Sequence, residues 1–186
     1  ATEGGESIAL ETARDYIKEG TEVVVKHFPM GKKDRVLKAL EAYEFIESKL
    51  REGKNVAFLT IGDPYVYSTY IHMLTHMRED GFEVVTVPGI TSFCAAASLV
   101  DRTLVIGNEK LVIMPATKVK EITDEKFIVI MKVYKHEEEV IDVLEEKGFD
   151  YVYASRVGRE GQLVLTDREE ILKVRDYMSL IIASRK

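Results

Sequence analysis

A carboxylate and two hydroxyls stand directly after two short apolar segments, where they could bind a ligand. Residues 56–59 lead into Gly62-Asp63-Pro64, and residues 82–87 lead through a Pro-Gly pair to Thr91 and Ser92. Short apolar runs that stop at glycine and proline are typical of strands buried in a parallel sheet. Ligands of open α/β sheets bind beyond the carboxyl ends of such strands. The pattern therefore predicts a binding site lined by these polar residues.

The chemistry open to these residues is hydrogen bonding and charge compensation. Asp63 can accept hydrogen bonds or offset a positive charge, and Gly62 lets a ligand approach the backbone closely. Thr91 and Ser92 offer hydroxyls at the start of a helix, which suits an anionic carboxylate. The same residue types also serve as turn residues and N-caps, so a purely structural role stays open for each of them.

Helices and strands alternate in the first half of the chain, which predicts a mostly parallel sheet. The boundaries rest on N-caps, on glycines that end helices, and on apolar residues at helical spacing. The predicted elements are a helix at 7–20 capped by Ser7, a strand at 21–26, a helix at 34–53 capped by Asp34, a strand at 56–59, a helix that buries Ile71, Leu74 and Met77 and ends at Gly81, and a strand at 82–87.

Pro115-Ala116-Thr117 is typical of a linker, so the chain is expected to form two domains, 1–114 and 117–186. Before the linker, a turn at Gly107-Asn108 separates two short apolar runs. The predicted elements in this half are strands at 104–106, 110–114, 127–132, 149–154, 163–165 and 179–183, a helix with Val140, Ile141 and Leu144 that ends at Gly148, and a short helix in which Thr166 and Glu169 form a capping box.

Composition narrows the possible functions. The 186 residues are 46% hydrophobic, which is enough to bury a core in one large or two small domains. The net charge of −6 argues against a general nucleic-acid or membrane-surface binder. Cys94 is the single cysteine, expected to be buried, which excludes a disulfide framework and a cysteine-based zinc site. The sequence contains no credible catalytic triad or metal cluster, and it predicts a cytoplasmic protein.

Several motifs in a fixed order resemble the tetrapyrrole methylase family. Gly62-Asp63-Pro64 after an apolar strand is one, and Val87-Pro88-Gly89-Ile90-Thr91-Ser92 before a helix of small residues is another. Within the family the likeness is greatest to the C20-methyltransferases of precorrin-2 or cobalt-factor II, and it extends from about Ser7 to the end of the chain. The further motifs that carry it are Phe28-Pro29-Met30, Tyr67-Ser68-Thr69-Tyr70, Ile130-Met131-Lys132 and Tyr177-Met178-Ser179-Leu180-Ile181-Ile182.

The resemblance implies two α/β domains of the tetrapyrrole methylase type, with the active-site cleft between them. It implies S-adenosylmethionine as cofactor, S-adenosylhomocysteine as product, and methylation of C20 of precorrin-2 or cobalt-factor II in cobalamin biosynthesis. Any metal would belong to the substrate, and no protein ligands to a metal are expected. A homodimer without nucleic-acid or membrane partners is also expected. The cofactor-binding positions that the resemblance implies are Ile61, Gly62, Asp63, Val66, Thr91, Ser92, Met131 and Gly158.

A tetrapyrrole substrate of this kind carries many carboxylates, which basic residues near the site should receive. The loop around Phe28-Pro29-Met30 is rich in lysine and arginine, although a solvated charged run would look the same. His27 is a hypothetical base for proton removal after methylation, and the tyrosines after the turn could pack on the ring. No catalytic residue is assigned. The substrate candidates are His27, Met30, Lys32 and Tyr67.

One family feature has no match in this sequence. Family members open with a strand and a Gly-x-Gly-Pro-Gly-Asp-Pro loop, and a β-loop-α piece of this kind is expected to be missing before Ser7. Three functions therefore stand side by side: the C20-methyltransferase, another ring-position methylase or a diphthine synthase-like protein, and a catalytically silent binding or assembly subunit. Whether the substrate contains cobalt stays open.

Overall fold

The computed structural model describes residues 7–26 and 32–186, apart from the side chains of residues 32–36. The chain divides into two compact units between Ile90 and Thr91. The domain bounds expected from the sequence, 1–114 and 117–186, stay a prediction. The two units are held together internally in different ways.

Helices dominate the described part of the first unit. They are α1 (Ile8–Ala13), α2 (Lys32–Arg51) and α3 (Tyr70–Glu79). The predicted cap of α1 is confirmed, because the Ser7 hydroxyl accepts a hydrogen bond from the Leu10 amide at 3.3 Å. The prediction for the start of α2 is wrong by three residues, since the helix begins at Lys32 and not at the residue after Asp34.

The prediction of three strands in the first unit is wrong. Residues 21–26, 56–59 and 82–87 are not strands in the structure. Most of their valines are exposed, such as Val24 at 45% and Val85 at 78%, whereas strands inside a parallel sheet would be covered on both faces. β-Branched residues favour an extended backbone, but a strand also needs a neighbouring strand to pair with.

The small core of the first unit lies between α2 and α3. Met73, Leu74 and Met77 of α3 are at most 5% exposed, and Tyr43 of α2 contacts the ring of His76 edge-on at 5.4 Å between centroids. The prediction that Ile71 belongs to this buried face is wrong, because its side chain is 38% exposed. The buried face therefore starts one position earlier, at Tyr70.

The second unit is built on one mixed sheet of five strands in the order β1-β2-β5-β3-β4. β1 and β2 are parallel, whereas β5 is antiparallel to both β2 and β3. Three strands therefore run in one direction, namely β1, β2 and β3. Their carboxyl ends lie on the same side of the sheet, at the end towards which these strands run. Its elements are α4 (Ser92–Leu99), β1 (Leu111–Pro115), β2 (Phe127–Met131), α5 (Glu137–Glu146), β3 (Asp150–Ser155), β4 (Leu163–Leu165), α6 (Arg168–Lys173) and β5 (Ser179–Ser184).

The core of the second unit lies where α5 covers the sheet. Val140, Ile141 and Leu144 of α5 are fully buried, as the helical spacing predicts, and they belong to the same cluster as Ile130 and Ile181 of the two central strands. Burying one such aliphatic side chain stabilises the fold by about 1.5–3 kcal/mol. This apolar packing fixes the position of β5 and of β2, the strand that ends at Met131.

Two local predictions in this unit need correction. The turn at Gly107-Asn108 forms, with the Glu109 amide bonded to the Ile106 carbonyl at 3.2 Å, but residues 104–106 are not a strand. The cap of α6 is Asp167 and not Thr166: its carboxylate accepts a hydrogen bond from the Glu170 amide at 3.0 Å. Either oxygen-bearing side chain suits an N-cap, and the backbone decides which one occupies it.

The corrected cap predicts different effects for two neighbouring substitutions. Asp167→Ala should lower the free energy of unfolding by about 1 kcal/mol, because the Glu170 amide loses its acceptor. Thr166→Ala, the matched control, should change it by less than about 0.5 kcal/mol, as for an ordinary surface site. Urea unfolding followed by circular dichroism measures both. A larger loss for Thr166→Ala would show that the capping box predicted from the sequence was correct.

Candidate functional site

The Gly62-Asp63-Pro64 turn has a fixed internal geometry. Gly62 has φ of 70°, a left-handed conformation that favours glycine. Oδ1 of Asp63 accepts a hydrogen bond from the Tyr65 amide at 2.9 Å, and the Asp63 carbonyl accepts one from the Val66 amide at 3.2 Å. The aspartate thus closes the turn through its side chain and its backbone together.

The second carboxylate oxygen of Asp63 reaches a distant part of the sequence. Oδ2 accepts a hydrogen bond from the Gly89 amide at 3.1 Å, across 26 residues of sequence. The two backbones touch here, because a Cβ at Gly89 would lie 2.2 Å from the Gly62 carbonyl oxygen. Only glycine fits at position 89 without a shift of the backbone. The two turns recognised in the sequence are therefore one feature in space.

Hydroxyl groups join the same two segments beside this contact. The hydroxyl of Thr86 is hydrogen-bonded to that of Tyr70 and also accepts one from Tyr65 at 3.2 Å. The Tyr70 ring stacks on Phe58 with 6.1 Å between centroids. Ser68 accepts a hydrogen bond from the Tyr70 amide at 3.2 Å at the start of α3. Tyr70 is thus a structural residue, and Tyr65 remains half-exposed.

The other predicted positions around the turn differ in exposure. Ile61 is 49% exposed, and Val66 is partly buried. Tyr67 is 46% exposed and has φ of 51°, which is uncommon for a residue with a Cβ. Ile61 and Tyr67 are thus more exposed than Val66.

In the second unit, Thr91, Ser92 and Met131 lie around the start of α4. Thr91 is the N-cap, and its hydroxyl accepts a hydrogen bond from the Cys94 amide at 3.4 Å. Ser92 is exposed, with its Oγ 4.0 Å from the Sδ of Met131. Met131 is the last residue of β2 and is partly buried. The structure thus brings together two predicted positions that are 39 residues apart in sequence.

Gly158 lies in the loop after β3. It has φ of 73°, and its amide donates a hydrogen bond to Oε1 of Gln162 at 2.7 Å. These contacts explain the glycine as a turn residue. Its predicted part in ligand binding stays a prediction.

The prediction that Cys94 is buried is wrong, because the structure places it at the surface. The buried face of α4 is formed by Phe93, Ala96 and Ala97. A helix of small residues gives a weak apolar pattern, so the sequence did not show which face the core covers. His27 and Met30 lie outside the described residues, and so does the side chain of Lys32.

Sequence reasoning gave no site role to Gly89 or Thr86, although both contact residues of the predicted turn. A Pro-Gly pair was visible as a turn signal, but a turn signal does not name its partner. Two basic residues have left-handed backbones that the sequence does not indicate: Lys132 has φ of 60° and Arg156 has φ of 49°, each directly after a strand. A hydrogen bond from Arg156 to Asp176 raises the pKa of the guanidinium.

Residues 7–26 and 32–186 contain neither a metal-binding group of histidine, cysteine, aspartate and glutamate nor a helix long and apolar enough to cross a membrane. The polar groups described at the two turns are backbone amides, hydroxyls and the Asp63 carboxylate. Such a donor set suits an organic ligand held by hydrogen bonds.

The match to a protein family decides the assignment of the chain. The family of tetrapyrrole (corrin/porphyrin) methylases matches residues 2–172. The chain belongs to this family. The matched range contains every residue of the two turns and of α4, together with Met131 and Gly158.

Named relatives of the tetrapyrrole methylase chain agree with this membership. A probable cobalt-precorrin-2 C(20)-methyltransferase of Methanocaldococcus jannaschii is 36% identical over 98% of this chain and 80% of its own length. The cobalt-precorrin-2 C(20)-methyltransferase of Salmonella typhimurium is 34% identical, over 70% of this chain and 58% of its own length.

A solved structure confirms the predicted fold class. The uroporphyrin-III C-methyltransferase of Thermus thermophilus, complexed with S-adenosylhomocysteine, is similar with a TM-score of 0.64. The likeness covers 86% of this chain and 75% of the other, at 15% identity. At that identity it establishes the α/β fold of the family and nothing about the substrate.

The Tyr70 hydroxyl should contribute measurably to the stability of the first unit. Tyr70→Phe should cost about 1 kcal/mol, because it removes the buried hydrogen bond to Thr86. For a chain of this length that corresponds to a melting temperature lower by about 2–4 °C. Tyr65→Phe is the control and should have a smaller effect, since its half-exposed hydroxyl can bind water instead. Differential scanning calorimetry that ranked the two variants the other way would contradict this account.

Proposed function

We propose that this tetrapyrrole methylase transfers a methyl group from S-adenosylmethionine to C20 of a precorrin-2-type ring in cobalamin biosynthesis. The observation that carries the proposal is the 36% identity, over nearly the whole chain, to a relative named as a probable cobalt-precorrin-2 C(20)-methyltransferase. The Salmonella relative carries the same name for its activity. The two names favour the cobalt-containing ring, and they favour C20 over another ring position or a diphthine synthase.

The described residues fit an S-adenosylmethionine ligand. This ligand has an ammonium, a carboxylate and two ribose hydroxyls, which need several hydrogen-bond partners. Thr91 and Ser92 provide hydroxyls and the amide end of α4, a helix of 8 residues, for a carboxylate. Ile61 is 49% exposed at the first turn, and Gly62 has a left-handed backbone there. The proposed cofactor residues are Ile61, Gly62, Asp63, Val66, Thr91, Ser92, Met131 and Gly158.

The cofactor supplies the reactive sulfonium methyl group, so the protein need not provide a nucleophile of its own. The task of this chain is to hold the two reactants in line and to exclude water. Apolar side chains near the proposed site, such as Val66 and Met131, suit the exclusion of water. Exposed Ser92 suits a polar contact to the ligand.

On the substrate side, the proposal assigns Tyr67, Lys32, His27 and Met30. Tyr67 supports it best, because the residue is 46% exposed and its backbone is left-handed. Residues held in such conformations are concentrated at ligand sites. We further infer a cytoplasmic homodimer, as expected from the family resemblance. Light scattering of the purified protein checks the dimer, and a monomeric mass would contradict it.

The central experiment is a labelled methyl transfer. The full-length protein is incubated with S-adenosylmethionine carrying a ¹³C-methyl group, in parallel with the cobalt-containing and the metal-free ring. The label is expected at C20 in the NMR spectrum of the cobalt-containing product. Label at another ring carbon would support a different ring-position methylase. Cofactor binding without any transfer would support the silent subunit.

The Ser92 hydroxyl should matter more than a second serine on the same helix. Ser92→Ala should weaken binding of S-adenosylmethionine by about tenfold, the effect of losing one hydrogen bond to a charged group. Ser98→Ala is the matched control, since Ser98 is also exposed on α4. Isothermal titration calorimetry measures both dissociation constants. Equal effects of the two substitutions would remove Ser92 from the proposed site.

A further inference from the structure

We propose that Asp63 is a positioning residue that clamps the first turn to Gly89, and that it does not contact the cofactor through its carboxylate. The inference rests on the proposed function and concerns how the cofactor-binding backbone is held. The alternative role for an acidic residue in this turn is direct compensation of the positive charge of the ligand. Geometry separates the two roles.

Both carboxylate oxygens of Asp63 are already used by the chain itself. Oδ1 accepts from the Tyr65 amide at 2.9 Å, and Oδ2 accepts from the Gly89 amide at 3.1 Å. In this geometry each backbone N–H group uses its own carboxylate oxygen, whereas a side-chain amide would offer an oxygen to only one of the two. An asparagine at this position would turn an NH₂ group towards one of the two N–H donors. The arrangement therefore accounts for aspartate without any ligand.

The clamp acts on the backbone that the proposed function assigns to the cofactor. The Asp63 carbonyl also accepts from the Val66 amide at 3.2 Å, so one residue sets the course of the chain on both sides of the turn. Gly89 lies so close to the Gly62 carbonyl that a Cβ would stand 2.2 Å from its oxygen. Residues 56–59 and 82–87 are not strands, so a sheet ladder does not set this distance. The hydrogen bond from Gly89 to Asp63 supports it instead.

The first test compares two ligands that differ in charge at sulfur. S-adenosylmethionine carries a sulfonium, whereas S-adenosylhomocysteine has a neutral thioether. If Asp63 acts as a clamp, Asp63→Asn should weaken binding of both ligands by the same factor, about tenfold for the loss of one charge-assisted hydrogen bond. Asp80→Asn, an exposed aspartate at the end of α3, is the matched control and should leave both affinities unchanged. A selective loss for S-adenosylmethionine would overturn the clamp in favour of charge compensation.

The second test is a double-mutant cycle between Asp63→Asn and Gly89→Ala. Asp63→Asn weakens the acceptor of the contact, and Gly89→Ala separates the two backbones, because its Cβ would lie 2.2 Å from the Gly62 carbonyl oxygen. Once either substitution has lost the contact, the other has little left to remove, so the double variant should bind S-adenosylhomocysteine no more weakly than the worse single variant. Additive losses would overturn the inference.

In steady-state assays the variants should raise KM for the cofactor and leave kcat nearly unchanged, because the reacting groups are intact once bound. A structural defect alone would lower the amount of active enzyme and therefore kcat.

Hydrogen exchange of the wild-type protein tests the two hydrogen bonds to Asp63 directly, so it does not depend on whether a variant folds. The Gly89 and Tyr65 amides should exchange slowly relative to exposed amides, because each is bonded to the carboxylate. A rapidly exchanging Gly89 amide would overturn the clamp. Wild-type protein that binds neither ligand would refute the proposed function, whereas wild-type binding with an unaffected Asp63→Asn variant would refute only the clamp.

Discussion

The first unit depends on one carboxylate shared between two backbone amides. In the described residues its extended segments do not pair as strands, so hydrogen bonds from side chains join them. Asp63 bonds the Tyr65 and Gly89 amides, and Thr86 bonds the hydroxyls of Tyr65 and Tyr70. A hydrogen bond to a charged group contributes about 1.5–3 kcal/mol, more than a neutral one. The loss of the Asp63 carboxylate would therefore release a whole segment, whereas the loss of one hydrogen bond between paired strands leaves the neighbouring bonds in place.

In the second unit, the segments are held together by a paired sheet and by the burial of apolar side chains. β5 lies between β2 and β3, and its residues from Ser179 to Ala183 are buried. β2 is paired on both sides, with β1 and with β5, and Met131 is its last residue. Rigid elements hold ligand residues more accurately than loops do. Met131 and Ser92 thus owe their proximity to apolar packing, whereas the turn at Asp63 owes its shape to polar contacts.

Sequence patterns predicted the second unit far better than the first. The five strands of the second unit fall within one residue of their predicted positions, whereas the strand predicted at 104–106 is not present. The apolar runs of β2, β3 and β5 are short, bounded and mostly buried. In the first half, the β-branched run at 21–26 gives the same signal but has no partner strand in the described structure. Propensity reports the local backbone preference, and pairing depends on segments far away in sequence. The exposed Cys94 shows the same limit, since small residues do not mark a helix face.

The contact between Asp63 and Gly89 shows which structural features a sequence motif predicts and which it does not. The sequence identified the Gly-Asp-Pro turn and the Pro-Gly turn as separate features, and both are present. Their union could not be predicted, because it depends on the absence of a Cβ at Gly89 and on a hydrogen bond that spans 26 residues. A family motif records which residues recur, whereas the hydrogen-bond partners show why an acid and a glycine are needed. For Asp63 and Gly89 the reason is the same contact, so a change at either residue should be read as a change in the shape of the turn before it is read as a change in chemistry.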